Sequence, residues 1–278
     1  MRPTEAHRHF YAQLVVRSAE SSDERLIAAF SSVPRENYVG KGPWPVFVGP
    51  GCYLQTISDD PYLLYQDILI GLAPERGINN GEPSLHARCL AAAAPAPGET
   101  VVHIGAGTGY YTAILAHLVT PSGRVVAYEI EGDLADKART NLSDSPAVAV
   151  VSGSATDAPL PSCDLIYVNA GATHPHPLWL DALKVGGRLI FPLTPNEGLG
   201  CILLITRRES GAYAATVVTR AAFIPCIGAR DDATSDSLAA ALEARPIREI
   251  RSLRRDGMPD ETAWCAGEGW WLSTADAA

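Results

Sequence analysis

The chain has 278 residues, of which 47% are hydrophobic and 19% are charged, and its formal net charge is −9. This apolar content is enough for a sizeable core, and no run of about 18 uncharged apolar residues predicts a membrane span. The net negative charge argues against a nucleic-acid partner, because basic side chains must replace the counterions of the phosphates. We therefore expect a cytoplasmic, globular protein that binds neither nucleic acid nor membrane.

The six cysteines lie far apart and form no Cys-x-x-Cys pair. Cysteines scattered in this way are typical of buried thiols in a cytosolic protein, and they predict neither a disulfide framework nor a zinc site. The first ten residues carry basic side chains with no apolar stretch after them, which argues against a secretory signal. No metal site is expected.

The first part of the chain, residues 1–97, is predicted to form a helical and irregular cap that carries the substrate segment. Apolar residues recur at helical spacing over 7–30, where Ser22 or Asp23 precedes the second of two helices. Residues 31–83 are rich in Pro, Gly and aromatic residues and predict irregular structure with one short helix over 61–70. Long irregular segments often cover or carry a site.

After Gly98, strands alternate with helices. Strands are predicted over 100–104, 124–130, 148–152, 164–169 and 188–192, and helices over 110–119, 134–142 and 177–183, the last ended by Gly186 and Gly187. A hairpin over 201–206 and 213–219 follows. This order predicts an α/β fold with a Rossmann-like, doubly wound, mostly parallel sheet and a closing antiparallel hairpin over 98–228.

Residues 229–278 are predicted to be an extension packed on that core. A helix is expected over 235–244, and the end of the chain is rich in tryptophan (Trp264, Trp270 and Trp271). Large aromatic side chains are mostly used for burial, although they could also line an acceptor pocket or a dimer contact.

Three glycines, Gly105, Gly107 and Gly109, separate the first predicted strand of this domain from its helix. In such loops the first Gly allows a tight turn, the second lets a ligand approach the backbone, and the third brings helix and strand together. Glu129 ends the next strand about 20 residues later, where an acid can accept hydrogen bonds from both ribose hydroxyls. The pattern predicts a nucleoside-containing cofactor; the alternative is a tight structural turn with a surface acid.

The spacing of the glycines favours S-adenosylmethionine (SAM) over NAD. A dinucleotide loop reads Gly-x-Gly-x-x-Gly and leaves room for a pyrophosphate at the helix N-terminus. The loop here is tighter and is followed by the bulky Tyr110, which suits a cofactor without phosphate. The expected cofactor contacts are His103, Gly105, Ala106, Gly107, Thr108, Gly109, Tyr110, Glu129, Ile130, Ser154 and Asn169.

Several segments carry a resemblance to one family. Residues 29–39 read AFSSVPRENYV, which is similar to an early hxxVPRExFV signature, and the likeness continues through 65–71, the glycine loop, 183–192 and 223–228. In this order the chain resembles the protein-L-isoaspartate O-methyltransferase family over most of 29–228. The resemblance implies a SAM-dependent methyltransferase fold and methylation of a carboxylate, typically on an altered aspartate in damaged proteins.

The sequence departs from the family at the segment that decides the substrate. The family's Gly-Gln-Thr-Ile-Ser-x-Pro aligns with 77–83, where Asn79 and Gly81 hold the Thr and Ser positions. The acid usually found before the first Gly is His103, and the acid usually found near adenine is Ser154. A small metabolite or a modified peptide is therefore an alternative acceptor, and a SAM-binding protein without catalysis is a third reading.

Asn79, Asn80 and Gly81 are candidate acceptor contacts. A carboxylate is already charged at neutral pH, so catalysis of its methylation is mainly positioning. The two amides can donate hydrogen bonds to a carboxylate, and Gly81 allows close approach of a substrate backbone. Asn-Asn-Gly is equally an ordinary turn.

Polar side chains on the following predicted helix offer further candidates. His86 is a candidate base for an amine or hydroxyl acceptor, although a single histidine near an apolar helix is more often structural. Arg88 could pair with a substrate carboxylate, and Ser84 is the predicted N-cap. His174 follows Asn169 at the carboxyl edge of the fourth strand, where α/β proteins bind ligands.

Overall fold

The computed structural model describes residues 3–255 and 257–277, which belong to two compact units. One unit comprises Met1–Glu99 and Gly105–Gly153, and the other comprises Thr100–Ile104 and Ser154–Ala278. The sequence predicts boundaries at other residues, with segments 1–97, 98–228 and 229–278, and this division of the chain remains a prediction. Within the described residues, no helix combines the length and the apolarity that crossing a membrane would take.

The first unit holds five helices and six strands among its described residues. They are α1 (Glu5–Ser18), α2 (Glu24–Ser32), β1 (Pro45–Gly49), β2 (Cys52–Gln55), β3 (Gly71–Ala73), β4 (Ile78–Asn79), α3 (Pro83–Ala93), α4 (Tyr110–Val119), β6 (Arg124–Glu129), α5 (Gly132–Asn141) and β7 (Val148–Ser152), with β5 belonging to the second unit. β6 and β7 are parallel neighbours, whereas β1–β2 and β3–β4 are antiparallel pairs. The predicted helices and strands of 100–152 are confirmed to within two residues at each end.

The two N-terminal helices form as predicted because each has a side-chain cap. The Thr4 hydroxyl accepts a hydrogen bond from the N–H of His7 at 3.2 Å, and the Asp23 carboxylate accepts one from the N–H of Arg25 at 2.8 Å. These bonds satisfy N–H groups that have no partner inside a helix. Of the two predicted caps, Asp23 is therefore the one that begins the second helix.

The predicted short helix over 61–70 is wrong. Only a 3₁₀ turn, Pro61–Leu64, is present, because the following carbonyl groups point to a buried guanidinium. Arg35 donates to the carbonyl oxygens of Leu64, Gln66 and Ile68 at 2.6, 2.9 and 2.5 Å. Carbonyl groups that converge on one guanidinium do not lie parallel to a common axis, as the i to i+4 bonds of an α-helix require. The β1–β2 hairpin in the same region was not predicted, and it carries Cys52, which is exposed while the other five cysteines are buried as expected.

The second unit is built on a mixed sheet. Its elements are β5 (Thr100–Ile104), β8 (Cys163–Val168), α6 (Pro177–Ala182), β9 (Leu183–Leu193), β10 (Gly200–Arg207), β11 (Tyr213–Ala221), α7 (Asp232–Ala244), β12 (Ser252–Arg254), β13 (Ala263–Gly267) and β14 (Trp270–Ser273). β5, β8 and β9 are parallel, and β10, β11, β12, β14 and β13 continue from β9 in that order as antiparallel strands. The predicted closing hairpin is therefore confirmed.

Two predictions for this unit needed correction. The helix over 177–183 ends at Ala182 because Leu183 is already extended, and Gly186 and Gly187 lie inside β9 instead of ending the helix. The end of the chain adds three strands to the sheet, and its tryptophans are buried, with 2% to 6% of their surface exposed (Trp264, Trp270 and Trp271). Burial is thus the role that these side chains have within the unit.

Candidate functional site

The glycine loop is held by the carboxylate of Glu129, at the end of β6. One carboxylate oxygen accepts a hydrogen bond from the N–H of Gly107 at 2.6 Å, and the other accepts one from the N–H of Glu131 at 3.0 Å. The carboxylate is 5% exposed, and burial raises its pKa although these N–H donors lower it. Burial disfavours the charged form, whereas hydrogen bonds to that form favour it. The acid predicted from its spacing therefore lies directly against the loop.

The last glycine of the loop has no room for a side chain. Gly109 has φ +98°, and a Cβ atom there would lie 2.7 Å from a methyl group of Leu142. The side chain of Asn141 also donates to the carbonyl oxygen of Thr108 at 2.9 Å. The end of α5 thus closes over the start of α4, which is the close approach that a glycine at this position permits.

The segment that runs from β3 to the substrate motif lies beside the same loop. A Cβ atom on Gly107 would be 3.2 Å from a methyl group of Leu72. Arg76 forms ion pairs with Glu131 at 2.6 Å and with Asp133 at 2.9 Å, just beyond Glu129. Within this unit, Leu72 therefore contacts the glycine loop, and Arg76 pairs with the start of α5.

Asn79, Asn80 and Gly81 form a turn. The Asn79 side chain accepts a hydrogen bond from the N–H of Gly81 at 2.9 Å, which makes an Asx turn, and Gly81 has φ +74°. Oδ1 of the Asn80 side chain accepts a hydrogen bond from the N–H of Ile70 at 2.8 Å and another from the Arg35 guanidinium at 3.4 Å. Nδ2 of Asn80 is buried and has no hydrogen-bond partner among the described residues.

His86 lies directly beneath this turn. Its imidazole is 2% exposed and stacks on Tyr111, the second residue of α4, with ring centroids 3.7 Å apart. A Cβ atom on Gly81 would lie 2.2 Å from Nε2 of His86. The imidazole therefore fills the space that a side chain at residue 81 would need.

The polar residues around the start of α3 have structural partners. The N–H of Ser84 donates to the carboxylate of Asp67 at 2.8 Å, and the helix begins at Pro83, so the predicted Ser84 cap is wrong. Pro83 makes this possible because a proline at the first helical position lacks an N–H that would need a cap. Arg88 pairs with Glu20 at 3.2 Å and donates to the carbonyl oxygen of Ser18 at 3.2 Å.

In the second unit, His103 and Asn169 lie at the carboxyl ends of β5 and β8. His103 is fully buried, and its Nε2 is 2.8 Å from Nδ2 of Asn169. Burial lowers the pKa of His103 to about 3, so the imidazole is neutral at physiological pH. Oδ1 of Asn169 is buried and has no hydrogen-bond partner among the described residues.

Ser154 and His174, also in the second unit, make local contacts. The Ser154 hydroxyl accepts from the N–H of Thr156 at 3.1 Å and lies 2.6 Å from the Thr156 hydroxyl. Nδ1 of His174 lies 3.2 Å from the hydroxyl of Thr173, and burial lowers the pKa of His174 while Asp231 raises it. Ile130 is 42% exposed, whereas Ala106, Thr108 and Tyr110 are buried.

The structure also identifies a buried polar cluster that the sequence did not indicate. Beside Arg35 and Asn80, the side chains of Tyr11, Tyr110 and Tyr111 are buried, and burial raises all three tyrosine pKa values. The signal in the sequence that could have indicated this cluster was Arg35 of the VPRE segment, because a buried charge needs several hydrogen-bond partners. Among the described residues, no group of three or more His, Cys, Asp or Glu could hold a metal ion.

Comparison with known proteins identifies the family. Residues 9–231 match the model of the family described as protein-L-isoaspartate(D-aspartate) O-methyltransferase. The chain is 32% identical to the protein-L-isoaspartate O-methyltransferase of Aeropyrum pernix, over 76% of each chain. It is 31% identical to that of Methanoculleus marisnigri, over 81% of this chain and 94% of the relative. A match to the Methanopyrus kandleri enzyme is 36% identical and spans 61% of that protein.

Solved structures confirm the fold. A protein-L-isoaspartate O-methyltransferase superimposes with a TM-score of 0.67 and 21% identity, over 89% of this chain and 72% of that one. A Plasmodium falciparum protein assigned to the same activity, in complex with S-adenosyl-L-homocysteine, gives a TM-score of 0.61 and 17% identity over 80% of this chain and 98% of that one. The predicted Rossmann-like α/β fold is therefore confirmed. The chain belongs to the protein-L-isoaspartate(D-aspartate) O-methyltransferase family, and it is a SAM-dependent methyltransferase.

Proposed function

We propose that the chain transfers the methyl group of SAM to the carboxylate of an isoaspartyl residue in a protein or peptide. Two observations carry this proposal: Leu72 lies against Gly107 of the loop, and the His86 ring beneath Gly81 stacks on Tyr111 just after the loop. A methyl donor on the loop and an acceptor at the Asn79–Gly81 turn would then be neighbours. Reacting groups held together in this way need no further activation when the nucleophile is already charged.

The residues of the loop fit the cofactor. Each carboxylate oxygen of Glu129 accepts one N–H at present, and a carboxylate has about four acceptor positions in total. Both oxygens can therefore also accept a ribose hydroxyl. SAM supplies an electrophilic methyl group on a sulfonium when it is bound. Ala106, Thr108 and Tyr110 are buried, so we assign them to shaping the loop, with Ile130 and Ser154 as proposed contacts of the adenosine.

On the acceptor side, this chain supplies shape and hydrogen-bond donors instead of a base. The Asn80 Nδ2 group is a donor without a partner in the described residues, and it suits a carboxylate oxygen. His86 is covered by Gly81, so we assign it to supporting the turn. The family motif has a serine hydroxyl at the position of Gly81. In this chain the His86 imidazole lies beneath that position, and we expect the acceptor to contact the backbone of the turn.

The direct test is transfer of tritiated methyl from SAM to a synthetic isoaspartyl peptide, with the matching aspartyl peptide as the control substrate. We expect label in the isoaspartyl peptide alone, released by mild base as a methyl ester. The Glu129→Gln variant should lose most of this transfer, because charge-assisted hydrogen bonds contribute roughly 1.5–3 kcal/mol. The Glu243→Gln variant changes an exposed glutamate of α7 and should retain full transfer.

Two other outcomes separate the alternatives. Label that appears only in a small-molecule or modified-peptide fraction of a lysate would replace the isoaspartyl acceptor by another one. SAM binding with no labelled product in any fraction would identify a binding protein without catalysis. Either result contradicts the proposed acceptor and leaves the family assignment intact.

Cofactor affinity should depend on pH through Glu129. Burial raises the pKa of this carboxylate above the ordinary value of about 4.3. The ionised form accepts the ribose hydroxyls, so affinity is full above the raised pKa and falls as the pH drops through it. Calorimetric titration with S-adenosylhomocysteine between pH 5 and 8 should show affinity falling at a higher pH than an ordinary glutamate would produce.

The Glu129→Gln variant is the matched control for this titration, since it cannot ionise. Its affinity should be about tenfold or more weaker at pH 8 and should vary much less with pH. A wild-type affinity that stays constant down to pH 5 would contradict the role given to this carboxylate.

A side chain at residue 81 should destabilise the protein more than one at residue 77. Both glycines have φ near +70°, but a Cβ on Gly77 has no atom within 4 Å, whereas one on Gly81 meets His86 at 2.2 Å. We expect Gly81→Ser to lower the free energy of unfolding by about 1–3 kcal/mol beyond Gly77→Ser. Urea unfolding measures both variants.

Removing the imidazole should relieve the collision. The double variant Gly81→Ser/His86→Ala should lose less stability than the two single changes summed, because the serine occupies the space left by the ring. Purely additive losses would show that His86 does not fill the space of residue 81.

A further inference from the structure

We propose that His103 is a positioning residue that fixes the side-chain amide of Asn169, so that Oδ1 of Asn169 accepts a hydrogen bond from the α-ammonium group of the cofactor. The proposal concerns cofactor recognition and therefore holds whichever acceptor is methylated. It begins from His103, a buried histidine in the strand that leads into the glycine loop.

The first step is the charge of residue 103. His103 lies in β5 with none of its surface exposed. Burial keeps its pKa far below neutrality, since removal from water disfavours the charged form of an imidazole. Residue 103 therefore offers no negative charge to a ligand at this edge of the sheet.

The second step is the orientation of the Asn169 amide. A neutral imidazole has one N–H and one bare nitrogen. Nδ2 of Asn169 lies 2.8 Å from Nε2 of His103, so the amide donates to the bare nitrogen. This bond turns Oδ1 away from the ring, and Oδ1 then has no hydrogen-bond partner in the described part of the chain. A buried amide oxygen without a partner costs free energy unless a ligand or water satisfies it.

The third step is the place of Asn169 in the sheet. The backbone N–H of Asn169 donates to the carbonyl oxygen of Ile104 at 2.8 Å, and Ile104 is the last residue before the glycine loop. Asn169 directly follows β8, which is parallel to β5. Ligands of open α/β sheets bind beyond the carboxyl ends of the strands. The free oxygen therefore lies where the methionine portion of the cofactor is expected.

The chemistry of that portion selects its ammonium group. The methionine end of SAM carries an ammonium with three N–H donors and a carboxylate with none. An amide oxygen can bind only the donor. With the opposite amide orientation, NH₂ would face outward and would bind the carboxylate, so the two arrangements predict different ligand preferences.

The test is calorimetric binding of S-adenosylhomocysteine and of two analogues, one lacking the amino group and one lacking the carboxylate. We expect Asn169→Ala to weaken binding of S-adenosylhomocysteine and of the decarboxylated analogue about tenfold. Binding of the deaminated analogue should be unchanged. The matched control, Asn37→Ala, removes an exposed asparagine and should leave all three affinities at wild-type values.

Variants of His103 test its positioning role. His103→Leu removes the bond that orients the amide, so the preference for S-adenosylhomocysteine over the deaminated analogue should shrink severalfold. His103→Asp restores an acceptor for Nδ2 and should restore the preference. The ratio of these two affinities should be constant between pH 5.5 and 8 in the wild type, because both ligands share the ribose that Glu129 binds and His103 does not ionise. A role in stability alone would change unfolding but not this ratio.

Three results would overturn the proposal. If Asn169→Ala weakens the binding of S-adenosylhomocysteine and of the deaminated analogue equally, Oδ1 does not bind the ammonium. Selective loss of the deaminated analogue would show that the amide binds the carboxylate instead. If the preference for S-adenosylhomocysteine over the deaminated analogue is unchanged in His103→Leu, His103 does not position the amide. This holds even if that variant is less stable, since binding is measured on the folded protein.

Discussion

The hydrogen bond from the N–H of Gly107 to the carboxylate of Glu129 is the constraint on which the cofactor side of this protein depends. It joins the glycine loop to the end of β6 at 2.6 Å, and it favours the ionised form of a carboxylate whose pKa burial raises. The N–H of Glu131 supports the same charge. One buried acid thus fixes the loop before any ligand binds, so ordering the loop adds little to the free-energy cost of binding.

A second buried charge organises the region around the proposed acceptor turn, Asn79–Gly81. The Arg35 guanidinium binds three carbonyl groups between Leu64 and Ile68 and also reaches Asn80. Because this region has little regular secondary structure, its shape depends on side-chain bonds to the backbone instead of on a helix or a sheet. The Asn79–Gly81 turn is held from one side by this network and from the other by the His86 ring.

The sequence was sufficient for the parts of the chain with a clear period. The strands and helices of 100–152, the loop and Glu129 follow from local pattern and spacing. The sequence was insufficient where a distant residue determines the local structure. At 61–70, the carbonyl groups point to the guanidinium of Arg35 instead of along a helix axis. The space between Gly81 and His86 was equally inaccessible, because a glycine in a sequence does not show which neighbour fills its place. The site residues themselves stay predictions.

A crystal structure of the protein with S-adenosylhomocysteine would test the central claim most directly. We predict that Glu129 accepts both ribose hydroxyls while it keeps its bond to the N–H of Gly107. A ribose bound away from Glu129, or a carboxylate that turns away from the loop on binding, would contradict the account.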